Sequence, residues 1–142
     1  FLTHPATATI TGNFNNQELE ISAAGLDTWA VDANEVASEN DVQVYALFSS
    51  QRATRPVEGE FDQSGRHLVT GTAVTAGDVG EDNSDTDNNF ERLGMLAGVD
   101  MDNIALAQER QLWLRLDAPP SSTVDTNQQI IVTLTAVTGT TN

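Results

Sequence analysis

Apolar residues in this chain recur at every second position and almost nowhere at the three-to-four-residue spacing of a helix. Such alternation sends successive side chains to opposite faces of an extended backbone, so these runs read as strands with one dry and one wet face. "ELEIS" is the cleanest case, with Leu19 and Ile21 on one side and Glu18 and Glu20 on the other. "ATATIT" sets Ala6, Ala8 and Ile10 against Thr7, Thr9 and Thr11, and "QLWLRLD" sets Leu112, Leu114 and Leu116 against Trp113, Arg115 and Asp117. In "QQIIVTLTAVTG", Ile130, Val132, Leu134 and Ala136 oppose Ile131, Thr133, Thr135 and Val137. "DVQVYALFSS" is different, because Val42, Val44, Ala46 and Phe48 share one face while Tyr45 and Leu47 make the other apolar too. It reads as a central strand covered on both sides. "TWAVD" is expected to continue the pattern with Trp29 and Val31 inward, and "PVEGEF" and "RHLVTGTAV" to form a hairpin around "DQSG". "RLGMLAG" and "NIALAQ" are too short to anchor a helical core and read as crossover material. The expected fold is all-β: a two-sheet β-sandwich of Ig-like or jelly-roll type with about eight strands.

A chain of 142 residues, 39% hydrophobic and 19% charged, is large and apolar enough to bury one core. We divide it into an extended N-terminal segment, 1–14, and a single sandwich domain, 15–142, carrying an acidic loop at 76–92. Cysteine is absent, which removes disulfides, thiolate metal sites and a cysteine nucleophile. No run approaches the roughly 18 apolar residues of a membrane span, so the mature chain is not expected to insert in a bilayer. A first residue of Phe rather than Met is read as the start of a processed or a truncated form, with an exported precursor the favoured origin.

Six arginines, no lysine and 21 acidic residues give a formal net charge of −15. Nucleic acid is therefore a poor partner, since phosphate binding needs a basic stripe. Lysine's absence also rules out polymers joined through lysine amines, so any assembly is held non-covalently. A surface this acidic suits a saline setting, where the Debye length falls to about 3 Å at 1 M and self-repulsion is screened, with an ordinary mesophilic acidic surface protein as the equal alternative.

The densest chemistry lies in "GDVGEDNSDTDNNFE". Counted from Asp85, the positions at which a calcium-binding EF-hand loop needs Gly and Glu hold Phe90 and Leu96, so that motif is rejected. Asp82, Asp85, Asp87 and Glu91 remain a candidate calcium set beside the plainer reading of a solvated loop; no other cofactor is expected. His4 and His67 stand without a nucleophile-elbow, zincin or P-loop spacing, and the chain is not expected to be an enzyme. Trp29 is expected to fill the core; Trp113 is read either as packed under a loop or at an interface, or as an exposed sugar-stacking platform.

Two runs carry apolar or threonine residues on both faces, the opening segment and "IIVTLTAV", and a strand of that kind at a sheet edge invites another chain to pair with it. The order of a Thr/Ala strand, "LEIS", a Trp-containing turn, "DVQVYALFSS", "LWLRLDAPP" and a closing "QQIIVTLTAV" resembles the Ig-like subunits of fimbriae and other extracellular fibres. The resemblance implies a structural subunit of a pilus-like filament at the cell surface, whose partners are identical subunits and whose terminal strand is exchanged between them. Carried onto this chain, it makes Phe1, Leu2, Ala6, Ala8 and Ile10 donor-strand residues and places the acceptor groove along Ile130, Ile131, Val132, Leu134 and Val137. Pro5 departs from the pattern, because it cannot donate to a ladder. The competing expectations are a virion structural protein and a secreted carbohydrate-binding module.

Overall fold

Each strong period-two run becomes a strand. The computed structural model describes residues 5–11, 17–32, 36, 38–49, 54–61, 68–72, 74–75 and 104–138. Among them are β1 (Ala6–Thr9), β2 (Gln17–Gly25), β3 (Ala30–Val31), β4 (Asp41–Ser49), β5 (Leu68–Val69), β6 (Val74–Thr75), β7 (Glu109–Asp117) and β8 (Ile130–Thr138). They form two sheets, as expected of an all-β sandwich: a five-stranded one in the order β1-β7-β4-β3, with β5 also on β4, and a three-stranded one in the order β6-β2-β8. All pairings are antiparallel except β3 on β4.

The core lies between the sheets. Leu19, Ile21 and Ala23 of β2 meet Val44, Ala46 and Phe48 of β4, with Leu112 of β7 and Ile10, Val69 and Ile104 closing the cluster. The opposite face of β4 is covered as its sequence requires: Tyr45 and Leu47 pack with Phe61, Leu68 and Trp113 in a second cluster. Arg115 roofs this cluster, its guanidinium 4.7 Å from the centre of the Tyr45 ring. It donates to Asp117 through Nε at 2.9 Å and lies 3.4 Å from Glu58. The pairing lets a buried cation sit against an aromatic face, which favours it more than the same contact in water.

Three local expectations are corrected. Glu58–Glu60, inside the run expected as a strand, is a 3₁₀ turn, held where the Val57 N–H donates to the Glu60 carboxylate at 2.7 Å. "RHLVTGTAV" is not one strand: Leu68–Val69 pairs with β4, Val74–Thr75 with β2, and the chain changes sheets between them. There the Thr70 hydroxyl both donates to the Thr72 carbonyl, at 3.2 Å, and accepts from its N–H, at 3.3 Å. A side-chain turn of this kind competes with the ladder and ends it. The expected "DQSG" turn lies outside the described residues. Finally, Trp29 does not join either cluster; it is half-buried, and its indole N–H donates to Ser122 Oγ at 3.0 Å. Trp113, 3% exposed, is the tryptophan that packs inside.

Within "NIALAQ", residues 104–108 carry a turn. Ile104 is fully buried and bridges Gln17, and Ala107 adopts φ 66°, donating its N–H to the Ile10 carbonyl at 2.9 Å. A left-handed alanine costs about 1–2 kcal/mol, against the smaller entropic cost of glycine. Ala107→Gly is therefore expected to raise stability by about 0.5–1 kcal/mol, read as a higher urea midpoint at unchanged slope.

Candidate assembly edge

β8 pairs with β2 along its whole length, from Gln17↔Thr138 to Gly25↔Ile130. It is the last strand of its sheet, and among the described residues no strand pairs with its other side. The direction of its backbone groups follows from antiparallel alternation, in which residue pairs either exchange both hydrogen bonds or exchange none. Just beyond the strand, the Leu26 N–H donates to the Gln129 carbonyl at 3.0 Å, which makes Ala24↔Ile131, Ser22↔Thr133, Glu20↔Thr135 and Glu18↔Val137 the bonded pairs. The far side of β2 agrees: Ala23 donates to Thr70 at 2.9 Å, and Gln17 exchanges bonds with Ile104 at 3.3 and 3.0 Å. The N–H and C=O groups of Ile130, Val132, Leu134, Ala136 and Thr138 therefore point away from β2, toward the outer rim.

The side chains behind that rim are incompletely covered. Ile130, Val132 and Leu134 pack against the core but stay half-buried, whereas their neighbours on β2, Leu19, Ile21 and Ala23, are buried. No residue of β8 is fully buried, and Ile131, on the outer face, is 46% exposed. So all five residues expected to wall a groove, Ile130, Ile131, Val132, Leu134 and Val137, lie on one edge strand, split between its two faces. Ala136 and Thr138, which complete the rim, carry small or polar side chains and so escaped a reading based on apolar pattern.

The expected donor segment is seated on its own chain. β1 pairs with β7 from Ala6↔Leu112 to Thr9↔Glu109. Ala8 is half-buried against the core and Ile10 is 4% exposed, while Ala6, Thr7 and Thr9 are exposed. Pro5 stands where the described ladder ends, so β7 continues past β1 through Arg115 and Asp117. Phe1 and Leu2 lie outside the described residues, as do the candidate calcium ligands Asp82, Asp85, Asp87 and Glu91, and His4 and His67. Among the described residues no group of three or more His, Asp or Glu is placed to hold a metal ion, and no helix is long and apolar enough to cross a membrane.

The connection from β7 to β8 was not legible as anything but a turn. Asn40, in a left-handed conformation at φ 62°, donates through Nδ2 to Thr123 Oγ1 at 2.9 Å. Its Oδ1 accepts from the Thr123 N–H at 2.9 Å and the Ser122 hydroxyl at 3.0 Å. Gln128 Oε1 accepts from the N–H groups of Thr28 and Trp29, at 2.9 and 3.1 Å. The Gln129 N–H donates to the Asp27 carboxylate at 3.1 Å. Three side chains, the Asn40 and Gln128 amides and the Asp27 carboxylate, thus fasten this loop to the β2–β3 corner and to the start of β4. Trp29 serves that clasp, and Trp113 is too buried to stack on a sugar.

No family model, curated protein or solved structure matches this chain.

Proposed function

We propose that this chain is the structural subunit of an extracellular, pilus- or fimbria-like filament, built non-covalently when a strand of one copy adds to the sheet of another. The observation that carries the reading is β8: a nine-residue edge strand backed by half-buried Ile130, Val132 and Leu134. A strand added there gains a ladder of backbone hydrogen bonds at about 0.5–1.5 kcal/mol each and completes the cover of apolar side chains behind it. Natural proteins usually shorten, charge or cover such edges; β8 is long and contains no charged residue. Two strands of a neighbour could fill it, β8 itself or the N-terminal segment after release from β7. The surface seat on β7 is also exchangeable, since a neighbour's β1 would make the same contacts in trans.

Association must bring together subunits of net charge −15. Repulsion between them is screened as salt rises, so assembly is expected to strengthen with ionic strength, and with calcium if the acidic loop binds it. Light scattering and negative-stain imaging of the purified chain from 0.05 to about 1 M salt provide the test. Filaments that grow with salt are the expected outcome. A chain that stays monomeric at every concentration and ionic strength would overturn the reading.

A further inference from the structure

We infer that the strand added to β8 is β8 of a second copy, paired antiparallel about a two-fold axis at Leu134. This rests on the reading that copies join edge to edge, and names the partner at that edge. The first observation is the order of residues: Ile131, Val132, Thr133, Leu134, Thr135, Ala136 and Val137 read nearly the same by chemical class in both directions. A two-fold at Leu134 sets Thr133 opposite Thr135 and Ile131 opposite Val137 on the outer face. On the inner face it sets Val132 opposite Ala136, and Leu134 opposite itself. Threonine pairs and β-branched aliphatic pairs are among the cross-strand combinations that favour a sheet.

The second observation is the backbone. The outward-pointing N–H and C=O groups belong to Ile130, Val132, Leu134, Ala136 and Thr138. The same two-fold maps this set onto itself, Ile130 onto Thr138 and Val132 onto Ala136, so every rim donor meets a rim acceptor. A centre one half-step away, between two residues, would pair outward groups with inward ones and make no ladder.

Charge is the third. All the Asp, Glu and Arg residues lie between Glu18 and Asp125, so residues 126–142 carry none. Of the carboxylates near the rim, Glu18 and Glu20 lie one strand in, and Asp27 lies past the strand's start, where it accepts from the Gln129 N–H. In the joined sheet, β2 and its symmetry mate stand three strand spacings apart, about 14 Å, beyond the Debye length of about 8 Å at physiological salt. By contrast, the part of β7 beyond β1 carries Arg115 and Asp117. The result is one six-stranded sheet across two copies. An isologous contact closes into a dimer, so a filament requires a second contact, for which the β1 seat on β7 is available.

The chain has no cysteine, so introduced thiols are the only ones present. Thr133 and its opposite Thr135 would form a non-hydrogen-bonded pair, with Cα atoms about 4.5 Å apart, within the disulfide range of about 4.4–6.8 Å. A mixture of Thr133→Cys and Thr135→Cys chains under mild oxidation is expected to give the mixed disulfide dimer as the main product, several-fold over either self-dimer. Ala136→Pro, which blocks the rim without touching the bonds to β2, is expected to abolish that product in the same background. Dominant self-dimers of Thr133→Cys would show parallel pairing or a two-fold at Thr133 instead of Leu134, and would overturn the inference. If Ala136→Pro abolishes wild-type association but no mixed disulfide forms, another strand occupies β8: the inference fails while edge addition stands. If Ala136→Pro leaves wild-type association unchanged, both fail at β8.

Discussion

Gly25→Ala is expected to lower the melting temperature by roughly 10 °C or more. Gly25 closes β2 where the chain turns into the corner that leads to β3, and a Cβ there would stand 1.8 Å from the Trp29 carbonyl oxygen and 3.0 Å from its carbon. Both are backbone atoms, so no rotamer change relieves the clash; the corner itself must open. Opening it strains the Leu26 bond to Gln129 and the Thr28 and Trp29 bonds to Gln128, at 3.0, 2.9 and 3.1 Å. Overpacking of this kind costs about 3 kcal/mol, before any bond is lost. Gly71→Ala is the control, since its Cβ would meet only the Ala23 carbonyl at 3.9 Å. Thermal denaturation followed by circular dichroism decides it: equal melting temperatures for the two variants would show that the corner relaxes without loss.

The strands were legible wherever one physical force dominated. In "DVQVYALFSS" the partition of apolar side chains places β4 with both faces covered, and in "ELEIS" it buries Leu19 and Ile21 as expected, whereas Glu18, read as facing water, is only 6% exposed. The misreadings share a different cause. Trp29 has the bulk of a core residue but also an indole N–H, and Ser122, 93 positions away, offers it a partner that no local pattern reveals. Thr70 continues the alternation of its run, yet its hydroxyl bonds within the turn and breaks the strand. As for the candidate site, the apolar faces of β8 were visible in sequence. The direction of its backbone groups was not, because that depends on the pairing register with β2.

Thr135→Pro and Ala136→Pro, one position apart, are expected to behave as opposites. The Thr135 N–H belongs to a bonded pair with Glu20, so proline there deletes a ladder bond and leaves the Glu20 carbonyl without its donor. The loss is expected to be about 2–4 kcal/mol, with the ring also intruding on the space between strands. The Ala136 N–H points to the outer rim and its side chain is exposed, so proline there removes nothing the folded chain uses, as on the solvent side of an edge strand. Chemical denaturation should therefore give a near-wild-type midpoint for Ala136→Pro and a clear fall for Thr135→Pro. Size-exclusion chromatography should show Ala136→Pro as folded and monomeric. Equal destabilisation by the two prolines would mean that the alternation of bonded pairs along β8 is reversed or broken.

A sheet edge is only as well defined as the position of its strand along the neighbour. Sliding β8 by one residue past β2 would turn its dry face outward and exchange the rim groups for those now bonded inside. The loop ahead of β8 works as a mechanical stop against that slip. Gln128 and Gln129 are tied to Asp27, Thr28 and Trp29 before the strand begins, and Asn40 holds the same loop from the other sheet. Most of these ties are between neutral amides, hydroxyls and backbone groups, which salt screens little compared with ion pairs. The stop would hold in brine as in dilute buffer, and with it the choice of which face of the strand a neighbour meets.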